Sequence, residues 1–267
     1  VAHTRMSVSG GDELVLLKKL DTLSLFQQGN VFLLRLSNGE NRFNPDTIGE
    51  WNAALDEVER VHALNPNKGA SLVTVGEDRY YSNGLDLAWM AASPKSTHSA
   101  FIHSVHKLLG RMMTFPMITV AAMNGHAFAG GAMIALCHDY RVMRSDRGFF
   151  CLPEIDIHIP LSAPMTAVIA AKVVDSSVYR DIVFTGMRVT AEEAVKMRLV
   201  DQAAPEAEVL PVALEIAGRL ESKARDHKTL KELKLGRFGD VLDLCNTAME
   251  FSLPSQRSAT GPPRAKL

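Results

Sequence analysis

The stretch Met117–Asp139, MITVAAMNGHAFAGGAMIALCHD, decides how this chain is read. Ile118–Met123 is a short apolar run that reads as a buried strand, Asn124-Gly125 as a turn, and a new apolar helix opens at Gly130-Gly131. Glycine permits tight turns and close backbone approach. A helix starting there points free N–H groups at whatever lies in front of it, and such donors can hold a developing oxyanion. Taken alone, Gly130-Gly131 is equally a place where helix and strand pack closely. A second segment, Tyr80-Tyr81-Ser82-Asn83-Gly84-Leu85-Asp86-Leu87, favours the oxyanion role. It too follows a β-like run, Ala70–Val75, and two donors from two turns make an oxyanion hole.

Outward from this centre, Leu23–Gln28 and Val31–Ser37 flank Gly29-Asn30 and read as a hairpin. Asn44-Pro45-Asp46 starts a helix, with Asn44 as N-cap and Pro45 at the first helical position. Ile48, Trp51, Leu55 and Val58 lie on one face of that helix, and Asn65-Pro66-Asn67 ends it. Ser99–Met113 is helical in period and Pro116 stops it. Tyr140–Met143 reads as a strand, and Phe149–Ile159 runs on after a turn at Asp146–Gly148. Helices are expected over Ser162–Val174 and Ser177–Phe184, and Thr190-Ala191-Glu192-Glu193 is a capping box opening another. Alternating strands and helices imply a mainly parallel sheet covered by helices. After Pro205 the pattern turns helical, over Glu206–Ala224 and Lys228–Leu253. The expected organisation is an α/β core at 12–203, then a helical C-terminal region and polar tail at 204–267. No repeat of fixed period shows in the sequence.

The 267 residues carry a formal net charge of −1, which gives a nucleic-acid binder no support. Three cysteines, Cys137, Cys151 and Cys245, argue for a reducing compartment rather than a disulfide scaffold. Met117–Cys137 is apolar enough to be weighed as a membrane span, but Asn124, His126 and three glycines favour the buried strand–turn–helix, and no membrane association is expected. Val1–Gly11 shows no signal-peptide pattern and reads as a tag remnant or a frayed terminus. His103 and His106 have helical spacing but no third ligand, so no metal site is expected. Cys137-His138-Asp139 are adjacent on a helix, point in different directions and are read as structural.

These residues resemble the crotonase superfamily, also called the enoyl-CoA hydratase/isomerase family. Ser82-Asn83-Gly84-Leu85-Asp86-Leu87 is similar to its first oxyanion loop. Asn124-Gly125-His126-Ala127-Phe128-Ala129-Gly130-Gly131 is similar to its second, with Ala129 in place of the first glycine of a triplet. Cys137-His138-Asp139-Tyr140-Arg141 and Pro153-Glu154-Ile155 match two further tracts in the right order. The resemblance covers residues 23–201. It implies an α/β fold, a spiral of ββα units with a helical C-terminal region used in trimerisation, and acyl-CoA thioester substrates whose coenzyme A is part of the substrate, with no separate cofactor. The donors carried over are the backbone N–H groups of Leu85 and Gly130. Ser82, Asn83, Gly84, Asp86, Gly131, Met133 and His158 are carried over as substrate-binding positions, with Asp86 also expected to stabilise its loop through backbone hydrogen bonds. The Arg42-Phe43-Asn44 turn and C-terminal lysines are candidates for holding coenzyme A.

Hydratases of the family place one glutamate in the helix after the glycine triplet and a second in the Pro-Glu tract. Here the first position is Met133 and the second is Glu154. Hydration needs a water between two carboxylates. Moving a double bond needs one base, and one buried glutamate with a raised pKa can serve for both proton transfers. The pattern resembles the Δ3,Δ2-enoyl-CoA isomerases, the peroxisomal plant-type branch in particular. The alternatives are a hydratase or another crotonase-type acyl-CoA enzyme, or a non-catalytic CoA- or RNA-binding homologue. His158 stands where that branch has glycine, which places it at the acyl pocket or in a hydrogen bond to Glu154. A homotrimer or hexamer is expected, with Val209, Leu210, Leu214, Ile216 and Leu220 partly interfacial. Ala265-Lys266-Leu267 resembles a peroxisomal signal, which implies an import receptor as partner in a eukaryote and the cytoplasm otherwise.

Overall fold

The computed structural model describes residues 5–6, 13–65 and 67–251. The strands are β1 (Arg5–Met6), β2 (Leu14–Lys19), β3 (Leu23–Gln28), β4 (Val31–Leu36), β5 (Ser71–Val75), β6 (Tyr80–Ser82), β7 (Ile118–Met123), β8 (His126–Phe128), β9 (Tyr140–Arg144), β10 (Phe150–Cys151) and β11 (Gln202–Ala204). The helices are α1 (Pro45–Ala63), α2 (Leu87–Ala92), α3 (His98–Met113), α4 (Gly130–Cys137), α5 (Glu154–Ile157), α6 (Ala163–Lys172), α7 (Ser176–Tyr179), α8 (Ala191–Lys196), α9 (Glu206–Leu220) and α10 (His227–Asn246). Among the described residues the main sheet has the order β1-β2-β3-β4-β5-β7-β9-β11, antiparallel up to β4 and parallel from there on. A smaller parallel sheet has the order β10-β8-β6.

Each of β5, β7 and β9 is followed by one short strand of the small sheet and then by helix. That is the expected spiral of ββα units. The three turns begin at residues 71, 118 and 140, so their spacing is uneven and leaves no sequence period. Alternation along the central strands sorts side chains between two cores. Leu33, Val73, Val120 and Val142 face one side, where α9 lays Val209, Ala213, Ile216 and Ala217 over them. Phe32, Leu34, Leu72 and Ala121 face the other, against α1, α3 and α4. Helix α1 starts where the sequence places it: Asn44 Oδ1 accepts from Thr47 N–H, and Thr47 Oγ1 accepts from Asn44 N–H. The Thr190 capping box forms with Glu193.

Four local expectations change. Phe149–Ile159 does not continue as a strand: β10 is two residues long and Pro153 turns the chain into the single turn of α5, because proline fixes φ and ends the ladder. The 177–184 helix divides into α7 and a π-helical turn at Arg180–Phe184, and α10 ends at Asn246 rather than at Leu253. Val209 and Ile216, expected at an interface between copies, are buried against the sheet of their own chain. Helix α9 therefore closes the second core, which spans the 203/204 boundary. Val1–Gly11 apart from the short strand Arg5–Met6, Pro66 and the tripeptide Ala265-Lys266-Leu267 lie outside the described residues.

Candidate active site

The two glycine-containing turns meet at the ends of β6 and β8. Gly84 has φ +72°, and a Cβ added to it would lie 2.6 Å from the Gly130 nitrogen. Gly131 is placed for packing rather than for ligand contact, since a Cβ there would lie 2.1 Å from the Ser82 carbonyl oxygen. Gly130 is the first residue of α4, so its N–H has no partner within the helix. Leu85 pairs with Phe43 in a parallel bridge. Phe43 N–H donates to the Gly84 carbonyl (2.7 Å) and Asp86 N–H donates to the Phe43 carbonyl (2.8 Å), which turns the intervening Leu85 N–H away from Phe43. The Phe43 bond also polarises the Gly84–Leu85 peptide and so strengthens its N–H as a donor.

The segment Glu40–Phe43 holds this loop along its whole length. Asn83 N–H donates to the Glu40 carbonyl (2.9 Å) and Asn83 Nδ2 to Glu40 Oε2 (3.0 Å). Ser82 Oγ donates to the Asn41 carbonyl (2.7 Å) and accepts from Gly84 N–H (3.2 Å). Asn41, at φ 50°, donates from Nδ2 to the carbonyls of Tyr80 and Tyr81, 3.1 Å each. Arg42 Nη1 donates to the Leu85 carbonyl (3.1 Å). Asp86 is the N-cap of α2, accepting from Trp89 N–H (2.9 Å).

Leu85 and Gly130 both line a cavity of about 270 Å³, together with Asn83, Met133 and Glu154. The expected substrate-binding positions therefore divide. Asn83 and Met133 face the cavity. Ser82 is fully buried with its hydroxyl committed to the backbone, Gly84 and Gly131 provide room, and Asp86 caps a helix. His158 is exposed, at φ 59° as the left-handed cap of α5, and neither lines the cavity nor bonds the Glu154 carboxylate. That left-handed conformation is one that glycine adopts at less cost than histidine. Residues missed from the sequence include Phe128, Cys151, Leu161, Met165, Arg188 and Phe251. Leu161 and Met165 carried only a generic apolar signal. Arg188 and Phe251 reach the cavity through tertiary contacts that no local pattern announces.

Glu154 opens α5 and is buried at 9% exposure. Its Oε2 is buried without a hydrogen-bond partner. Burial raises its pKa to about 7. Met133, one turn into α4, presents a thioether to the same cavity. A carboxylate base near neutral and two backbone donors thus face one apolar chamber, an arrangement suited to removing a proton beside a carbonyl and holding the resulting oxyanion.

Cys137, His138 and Asp139 diverge as expected. His138 Nδ1 donates to the Ile134 carbonyl (2.8 Å), which leaves Nε2 to accept from Thr74 Oγ1 (2.9 Å), and Thr74 in turn contacts Tyr81 OH (2.7 Å). Burial lowers the His138 pKa to about 3, so it stays neutral. Asp139 accepts from Lys234 Nζ (2.6 Å) and from Thr119, which commits that C-terminal lysine to the core. Among the described residues no group of three or more His, Cys, Asp or Glu side chains is placed to hold a metal, and no helix is long and apolar enough to cross a membrane.

Ala129 has φ 50° and ψ −123°, a region costly for a residue with a Cβ. Ala129→Gly is expected to raise unfolding free energy by about 1 kcal/mol, the relief of strain outweighing the added entropy of the unfolded chain. Urea titration checks this, and an unchanged or lowered midpoint would show that the turn is not strained.

The enoyl-CoA hydratase/isomerase family model matches residues 27–235. Enoyl-CoA delta isomerase 2, peroxisomal, from Arabidopsis thaliana is 34% identical over 208 residues, covering 75% of this chain and 85% of that protein. Enoyl-CoA delta isomerase 3 of the same plant is 38% identical over 186 residues, covering 68% and 76%. The solved structure of an enoyl-CoA hydratase from Mycobacterium marinum shares the fold with a TM-score of 0.75 at 21% identity, covering 85% of this chain and 96% of that one.

Proposed function

Because the chain belongs to the enoyl-CoA hydratase/isomerase family, we propose that its cavity shifts the double bond of 3-enoyl-CoA thioesters to the 2-trans position, as in the oxidation of unsaturated fatty acids. The Glu154 carboxylate takes a proton from C2. The electron pair of that C–H bond moves into a dienolate whose oxygen accepts hydrogen bonds from the Leu85 and Gly130 N–H groups. Glu154 then returns the proton at C4, the C2–C3 double bond forms, and the enzyme is unchanged. Each backbone donor contributes roughly 3–4 kcal/mol in comparable oxyanion holes.

The observation that carries this reading is Glu154, the one carboxylate among the described residues lining the cavity and with Oε2 buried without a hydrogen-bond partner, beside Leu85 and Gly130, with Met133 at the family's other acid position. The names of the Arabidopsis relatives support it. Hydratase-named proteins share the fold, so the decisive experiment compares two substrates. The enzyme is expected to convert 3-enoyl-CoA, followed by the absorbance of the conjugated thioester, and to add no measurable water to 2-trans-enoyl-CoA. Robust hydration would overturn the assignment in favour of a hydratase.

Self-association belongs to the same proposal. Ile155 and Phe184 are 52% and 64% exposed, and Ile155 lies beside the loop at Gly186. Covering such side chains favours assembly into a trimer or hexamer. Light scattering at micromolar concentration is expected to give at least three chain masses, and a monomer would refute this. In a eukaryotic cell the proposed site of action is the peroxisome, the location in the name of the Arabidopsis delta isomerase 2.

A further inference from the structure

Two arginines line the cavity, and they are held differently. Arg42 is committed to Glu40 Oε2 through Nε (2.6 Å) and to the Leu85 carbonyl through Nη1. Arg188 is exposed and makes no ion pair or hydrogen bond among the described residues. It is also not alone. The parallel strands of the small sheet bring their starting ends together: Arg79 immediately precedes β6, His126 opens β8, and Arg147 lies three residues before β10. Backbone bonds fix the arrangement. His126 N–H donates to the Arg79 carbonyl (3.0 Å), Ala127 N–H to the Phe149 carbonyl (3.0 Å), and Phe150 exchanges two 2.9 Å bonds with Val189, the neighbour of Arg188.

Arg79, Arg147 and Arg188 are all exposed, and among the described residues none forms an ion pair with a carboxylate. Arg79 lies over the Tyr80 ring at 5.6 Å. At their centre His126 is 9% exposed, with its ring 5.4 Å from Tyr80, 4.9 Å from Phe128 and 5.8 Å from Phe149. Its Nδ1 is buried without a partner. Burial and then the charges of these same three arginines hold the His126 pKa below its ordinary value, which places all three guanidinium groups within electrostatic reach of one ring. Uncompensated like charges repel one another, and an arriving anion relieves that repulsion.

We propose that Arg79, Arg147 and Arg188 around His126 form an anion site that opens into the catalytic cavity at Arg188 and Phe128, and that it binds anionic oxygens of the thioester substrate. The shared chemistry is a phosphate of the nucleotide portion or a carboxylate at the acyl end. Guanidinium groups fit both through paired N–H donors. The identity of the substrate rests on the function proposed above; the anion site itself does not.

Inorganic pyrophosphate is therefore the first probe. Calorimetric titration is expected to show binding to the wild type and at least tenfold weaker binding to the Arg147→Gln/Arg188→Gln double variant. Both side chains are exposed, so the variant is expected to keep its fold, which circular dichroism checks. In turnover assays the double variant is expected to raise KM for 3-enoyl-CoA about tenfold or more at nearly constant kcat. A phosphate contact predicts that the KM effect disappears with the corresponding pantetheine thioester, which lacks the phosphates. A tail contact predicts that it persists there for an acyl chain ending in carboxylate and is absent for one ending in methyl. Unchanged pyrophosphate affinity together with unchanged KM for all these thioesters would overturn the proposal. Pyrophosphate binding that depends on the arginines, in a protein that turns over no enoyl thioester, would leave the anion site standing and remove the isomerase reading instead.

Discussion

Glu154→Gln is expected to retain fold and thioester binding while lowering isomerase kcat by at least about 10²–10⁴-fold, the usual contribution of a general acid/base group. Glutamine preserves the shape of the side chain but cannot accept the C2 proton. The pH profile carries the same information. The base acts when ionised, and burial raises its pKa to about 7, so kcat/KM in the wild type should climb as pH rises through 7 and then level off. Any residual rate in the variant should lack that limb. Stability moves in the opposite direction. The carboxyl ionises near 4.5 when unfolded and near 7 when folded, so the folded state holds the extra proton between those values. The stability this supplies is present in full below 4.5 and is lost as pH rises through 7. At pH 8 the glutamine variant should therefore melt at a higher temperature than the wild type. A variant that stays active would mean that the proton is carried elsewhere, and one that gains no stability at pH 8 would mean that burial does not raise the Glu154 pKa.

Gly84→Ala is the second change with a large expected effect. Its φ of +72° disfavours any Cβ, and the added carbon would sit 2.6 Å from the Gly130 nitrogen and 3.0 Å from the Phe128 carbonyl. Relief requires the two turns to separate, which moves both oxyanion donors. The expected loss in kcat is about 10²–10³-fold, comparable to deletion of one donor, with a loss of stability of about 1–3 kcal/mol from the backbone conformation. Gly29→Ala is the matched control. Gly29 also has positive φ, 58°, but lies in the hairpin turn between β3 and β4, away from the cavity. It should cost stability without changing kcat. Equal losses of kcat in the two variants would point to general destabilisation and away from displaced donors.

Much of the fold was legible because its signals are local. Asn44 and Thr190 cap helices through bonds that span three residues, and the strands β3, β4, β5 and β7 are apolar runs bounded by turn residues. Such patterns depend on near neighbours alone and survive without the rest of the molecule. Failures occurred where the chain was short or its partner remote. Strands of three residues such as β6, β8 and β11 have no readable period, and they exist because a neighbouring strand supplies their ladder bonds. The apolar stripe of α9 was readable as a stripe, but not whether another copy or its own sheet would cover it.

At the site the division is similar. The sequence alone determined which residues can act: glycines able to bring two turns together, one glutamate flanked by apolar residues, and methionine where a second acid would stand. Tertiary structure decided which of the neighbouring residues face the chamber. Ser82, Gly131 and His158 lie within a few residues of functional positions, yet backbone direction turns them towards the Asn41 carbonyl, the Ser82 strand and solvent. Arg188 and Phe251, far away along the chain, face the chamber instead. The physical reason is that residue type and local dihedral preference are properties of a few adjacent residues, whereas desolvation of Glu154, convergence of two N–H groups and gathering of unpaired arginines are set by distances between segments that only the packed core fixes.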